Sequence, residues 1–213
     1  EEKSNFSKIK EIKNLKNISI NEVDKIIKIT SDNFEIYDDL NIPRGYKLEI
    51  KEGTNIDLKN GSAIVSYSAV NLIGTKKRPI IFDSSDLTGQ GLKVINAKKE
   101  SYLDNVIFKN LSMPNRLGFN NTGIVTFYES DVKVNNTKFI NNKSEDSLNI
   151  IRSKFNLSNS QFINSFSDAL DLDFSNGSIN NVYIKSIFNH HSTFYSHILN
   201  LIFIFSKPHH FIS

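Results

Sequence analysis

The stretch SDALDLDFSNG, residues 167–177, carries Asp168, Asp171 and Asp173. Asp171 and Asp173 alternate with Leu170 and Leu172, so an extended chain projects both carboxylates to one side. Their alpha carbons would then lie about 6.5–7 Å apart. Acids so placed suit three purposes. They can bind a hard cation, and calcium is the natural choice because it takes several oxygen ligands, asparagine and main-chain carbonyls included. They can act as general acid and base on a glycosidic bond, at a spacing that admits either stereochemical course. Or they can be the wetted face of a sheet. What the fold stacks above and below them decides between these.

The chain has 213 residues, enough for one domain with a sizeable core. Its formal charge is +3 with 23% charged residues, a mild excess that gives no argument for a nucleic-acid partner. Seven lysines fall in the first thirty residues, but acids interleave with them as on a solvated segment. With no cysteine there are no disulfides and no thiolate metal sites. The longest apolar run, ILNLIFIF at 198–205, is far short of the ~20 residues that span a bilayer, so no membrane span is expected. The opening at Glu1, with no basic-then-apolar signal behind it, reads as a processed chain or an excised piece.

A repeat positions the acids. NVIFKN from Asn105, NTKFIN from Asn136, NSQFIN from Asn159 and NVYIKS from Asn181 align, and Ser130, Ser153 and Ser175 share a column ahead of them. The last three units start 23 and 22 residues apart, while the first gap of 31 holds the loop MPNRLGFNNTG. Within each unit apolar residues alternate, as in Leu148, Ile150, Phe155, Leu157 and Phe162. A period of two inside short segments and of about 22 between them means three strands per coil of a parallel β-helix, with like residues stacked about 4.8 Å apart. Phe108, Phe139, Phe162 and Ile184 become an interior stack, and Asn105, Asn136, Asn159 and Asn181 an asparagine ladder at a turn.

That register names the neighbours of the acids. Asp171 lies one coil beyond Asn149 and two beyond Thr126, Asp173 stacks on Ile151 and Tyr128, and Asp168 stacks on Asp146. Carboxylates about 5 Å apart repel by about 1 kcal/mol in water, which recruits a proton or a cation unless solvent screens them. Asp168, Asp171 and Asp173 are therefore the expected calcium ligands, while a ladder of Thr126, Asn149 and Asp171 beside Tyr128 is suited to binding a glycan along the axis, with Thr126, Tyr128 and Asn149 as its contacts. Glu129 with Arg152 and Asp131 with Lys154 read as exposed cross-coil ion pairs.

Upstream, IPRGYKLEIKEGTNIDLKNGSAIVSYSAVNLIGTKKRPIIF at 42–82 alternates short L-x-I and I-x-L strands with glycine turns and ends in a G…PI.F step. With the Asn-x-x-Phe units it resembles the bacterial right-handed parallel β-helix, or pectate-lyase-like, superfamily over roughly residues 33–186. The resemblance implies a right-handed solenoid and a range of roles, from polysaccharide lyases and hydrolases to non-catalytic surface proteins. A lyase on this pattern would set calcium against a uronate carboxylate and use Arg152 or Lys154, the bases nearest in the register, to remove the adjacent proton, with Asp171 and Asp173 holding the ion. The Arg-Pro and DD…HG motifs of such enzymes are absent, there is no tryptophan, and most loops are short.

Residues 1–32 are expected to cap the helix, with Phe6, Ile9, Ile12 and Leu15 on one side of a short amphipathic helix. Residues 33–186 form the coils, and 187–213 an atypical tail holding all five histidines. The expected function is a non-catalytic, polysaccharide-interacting module of a secreted or cell-surface bacterial protein. The alternatives are a polysaccharide lyase or glycoside hydrolase acting on an acidic glycan, and a structural spacer within a larger surface protein.

Overall fold

Alternation within short segments and near-constant spacing between them build continuous apolar columns. A computed structural model of the chain describes residues 9, 11–113, 122–187 and 194–204, with backbone alone for 186–187 and 194–204. It is an all-β parallel solenoid of about seven coils of about 23 residues each, with almost no helix. No helix among the described residues is long and apolar enough to cross a membrane.

Each coil contributes one strand to each of three faces. The first face runs from Ile26–Ile29 through Lys47–Ile50, Val70–Ile73, Ser101–Asp104, Val132–Asn135 and Lys154–Ser158 to Asn176–Ile187. Its interior column is Ile29, Ile50, Leu72, Leu103, Val134, Leu157 and Ile179. The second face carries Phe34, Ile56, Phe82, Phe108, Phe139, Phe162 and Ile184 in one column. The four phenylalanines from Phe82 to Phe162 stack with centroids 4.7, 5.4 and 4.6 Å apart, so the expected aromatic column extends one coil further back. Such pairs add about 0.5–1.5 kcal/mol each to the burial of the rings.

The third face holds Leu40–Ile42, Ile64–Ser66, Leu92–Ile95, Gly123–Tyr128, Asp146–Ile151 and Asp168–Asp173. The single polar residue in its inner column Ile42, Ser66, Val94, Phe127, Ile150 and Leu172 is Ser66. It is fully buried and donates to the Ser68 carbonyl at 2.6 Å, which offsets the cost of placing a hydroxyl in the core.

Sharp corners need a left-handed residue, and asparagine tolerates that conformation. Asn105, Asn136, Asn159 and Asn181 take φ of 53, 47, 48 and 53° between the first and second faces. The ladder expected there forms with a shift. Asn181 Nδ2 donates to Asn159 Oδ1 at 2.8 Å, but Asn159 Nδ2 reaches Asn135 Oδ1 and Asn136 Nδ2 reaches Asp104 Oδ1, both at 2.9 Å. At the corner after the third face the left-handed residues are Asn96, Glu129, Arg152 and Phe174. The serines that follow close it: Ser130 N–H donates to Ser153 Oγ at 2.8 Å and Ser153 N–H to Ser175 Oγ at 3.3 Å. The serine column is thus a buried hydrogen-bonded ladder that satisfies main-chain groups the bend leaves unpaired.

At the start, residues 9 and 11–13 are helical, and Ile9 and Ile12 are buried against the core while Leu15 is exposed. Phe6 lies outside the described residues. Parallel pairing begins at Ile26–Ile29, within the segment assigned to the cap, after an antiparallel strand Ile18–Asn21. At the other end Phe194–Ile204 pairs antiparallel along Asn176–Ile187, so most of ILNLIFIF is an ordered strand that covers the last edge of the first two faces. His190, His191, His209 and His210 lie outside the described residues.

Candidate functional site

The three-strand register places the sequence-expected residues as predicted, but not their environment. Lys93, Thr126, Asn149 and Asp171 form one column on the outer side of the third face. All four are buried, Asp171 at 6% exposure, so this is not a wetted face. Asn149 Nδ2 donates to Asp171 Oδ2 at 3.1 Å and to Asp146 Oδ2 at 3.2 Å. Thr122 Oγ1 also donates to Asp146 Oδ2. Asn149 Oδ1 is buried without a hydrogen-bond partner among the described residues.

Lys93 was not anticipated. The sequence places Arg152 and Lys154 nearest the acids, whereas the structure sets a third base, Lys93, in the acid column itself. The Lys93 ammonium donates to the Gly123 carbonyl, and Gly123 pairs with Asp146. Burial pushes the Lys93 amine down to about 7, and the Asp146 carboxylate opposes that shift. An amine in this state divides between base and ammonium at neutral pH. The clue in the sequence is LKVI at 92–95, whose alternation parallels VTFY at 125–128 across the loop-bearing coil. Gly91 is required: its φ is 77°, and a Cβ there would sit 2.2 Å from the Ile124 carbonyl oxygen.

The three aspartates do not converge. Asp168 pairs with Asp146, Asp171 with Asn149, and half-buried Asp173 with Ile151. Among the described residues no group of three His, Cys, Asp or Glu side chains is placed to hold a metal ion. The Asn149 amide, in the column that Lys93 shares, instead joins two carboxylates, Asp146 and Asp171.

Arg152 stands at the corner, exposed and clear of the acid column. Its Nη1 donates to Tyr128 Oη at 2.7 Å and lies 3.6 Å from Glu129 Oε1, so that cross-coil pair forms. Its guanidinium is 5.8 Å from the ring centroids of both Tyr128 and Phe174. The result is an aromatic–guanidinium–aromatic pillar across three coils, built from half-buried Tyr128, exposed Arg152 and exposed Phe174, with Phe174 in the left-handed region at φ 50°. Bulky residues in that conformation carry strain that marks sites of interest. Lys154 differs from expectation: its main-chain N–H, rather than its ammonium, donates to Asp131 Oδ1 at 2.7 Å.

A second feature escaped the sequence because its residues come from loops in separate coils. Between the third and first faces, nearer the N-terminus, a groove of about 780 Å³ is lined by Tyr46, Tyr67 and Tyr102 together with basic side chains. It lies on the same corner of the solenoid as the Arg152 pillar.

Fold and corner define a parallel β-solenoid carrying aromatic and cationic side chains along one edge. No family model, no curated protein and no solved structure matches the chain.

Proposed function

We propose that the chain is a non-catalytic module of a secreted or cell-surface protein that binds polysaccharide along the corner between the third and first faces. Its kinship with the right-handed, pectate-lyase-like β-helices is part of the same proposal. The observation that carries the reading is the Tyr128–Arg152–Phe174 pillar. An exposed Phe174 and a half-buried Tyr128 two coils apart, with a guanidinium between them, suit the ring edges and hydroxyls of a sugar chain running along the axis. Affinity electrophoresis in gels containing neutral or acidic polysaccharides tests it. Retardation of the wild type, lost in the Tyr128→Ala, Phe174→Ala variant, supports the reading. Equal mobility in every gel removes it.

One observation favours an enzyme instead. Lys93, with an amine held near 7, sits in the column of Asp171 and Asn149, and a neutral amine there is a competent base for a polysaccharide lyase acting on an acidic glycan. Ultraviolet absorbance of the unsaturated product, appearing with the wild type and absent with Lys93→Met, would establish that reading. A calcium requirement belongs to it alone. A melting temperature that rises with calcium in the wild type but not in Asp171→Asn, Asp173→Asn would support the ion, and unchanged melting in both removes it.

A further inference from the structure

The groove beside Tyr46 and Tyr67 is lined by five basic side chains and two acidic ones. Lys25, Arg44, Lys98 and Lys99 line it, and among the described residues none has an ion-pair partner. Its other groups are largely compensated. Lys47 pairs with Glu49 at 2.7 Å, and Glu100 accepts from Tyr102 Oη at 2.6 Å and pairs with Lys133 at 3.0 Å. The Tyr102 hydroxyl, and after it Lys133, hold the Glu100 carboxyl below its ordinary range. Asp24 is the one remaining acid in the lining, and it accepts from Asn21 Nδ2 at 2.6 Å. Four cations therefore share a concavity with little negative charge, which focuses the positive field outward.

The aromatic rings qualify what that field can hold. Lys25 Nζ lies 5.1 Å from the Tyr46 centroid and Arg44 6.0 Å from that of Tyr67, so cations already occupy a face of each ring. Bases of a single-stranded nucleic acid need open aromatic faces to stack on. Here the ligand meets ammonium and guanidinium groups with phenol hydroxyls between them, a lining for carboxylates or sulfates carried on a hydroxyl-rich chain. The lining comes from successive coils about 4.8 Å apart, so a linear polymer is addressed at each step and continues toward the Arg152 pillar on the same corner.

We infer that this groove binds the anionic groups of an acidic polysaccharide. The inference rests on the polysaccharide reading above and adds the charge class and a second contact region. The test titrates the full chain with polygalacturonate, dextran sulfate, neutral dextran and a single-stranded oligonucleotide, for the wild type, Lys98→Ala with Lys99→Ala, and Tyr128→Ala with Phe174→Ala. Lys98 and Lys99 are exposed and unpaired among the described residues, so their removal leaves the coils intact. The expected result is binding of polygalacturonate or dextran sulfate that weakens as salt rises and falls about tenfold in the double lysine variant, with binding of neutral dextran unchanged. The carboxylate and sulfate polymers separate the two anion chemistries. Undiminished affinity in the lysine variant, or tighter binding of the oligonucleotide, overturns the inference. Loss of all polysaccharide binding in the Tyr128, Phe174 variant with none in the lysine variant overturns it while sparing the broader reading. A wild type that holds no polysaccharide overturns both.

Discussion

Lys93 shows how one residue alters the chemistry of a face. Its amine is held near 7 in the folded chain by burial but returns to about 10.4 when unfolded. Below pH 7 both states are protonated and the full cost of burying the ammonium is present. Between about 7 and 10.4 the unfolded state binds the extra proton, so stability climbs with pH and the cost is gone above that window. Lys93→Met should therefore raise the urea midpoint at pH 7, with its advantage over the wild type shrinking as pH rises. A gap that stays constant with pH would contradict this. The corner residues give a second expectation. Asn159 combines a φ of 48° with two ladder bonds. Asn159→Ala should cost about 1–2 kcal/mol more than Asn159→Gly, because only alanine adds the left-handed penalty to the lost bonds; equal midpoints in denaturant would mean that the turn is not strained.

At the level of elements, columns matter more than strands. Each strand is only three to six residues over most of the coils and is stable only as a rung. Phe139 lies between Phe108 and Phe162 with nothing but core around it. Phe139→Ala should cost about 3–5 kcal/mol and Phe139→Leu much less, since leucine fills most of the cavity. Equal losses from equilibrium unfolding would show that the stack does not bear on stability. The last rung depends on Phe194–Ile204, whose antiparallel pairing covers the edge of Asn176–Ile187. Ending the chain at Ile187 should expose that edge and drive self-association in size-exclusion chromatography; a monodisperse monomer would show that the edge needs no cover.

For the whole molecule, periodic residues made the solenoid legible. The Asn-x-x-Phe units and the Ser130, Ser153, Ser175 column fixed the register correctly, including the pairing of Asp171 with Asn149 and of Asp168 with Asp146. Burial was not legible, because alternation tells which side of a sheet a residue faces and not whether that side is covered. Alternation leaves a wetted face open for Asp171, whereas Asp171 and its neighbour Asn149 are buried. Lys93 was hidden by the insertion in its coil, and the tyrosine–lysine groove by the spread of its residues over four loops. The strand Phe194–Ile204 is not legible in the tail because it pairs antiparallel and breaks the repeat.

The most direct test of polysaccharide binding along this corner is an amide hydrogen-exchange footprint of the protein with and without polygalacturonate. Protection concentrated at residues 44–46, 67–69, 96–100, 128–131, 152–154 and 173–176, which form the corner, is the expected result. Protection on the second face, or a pattern unchanged by the polymer, would contradict it.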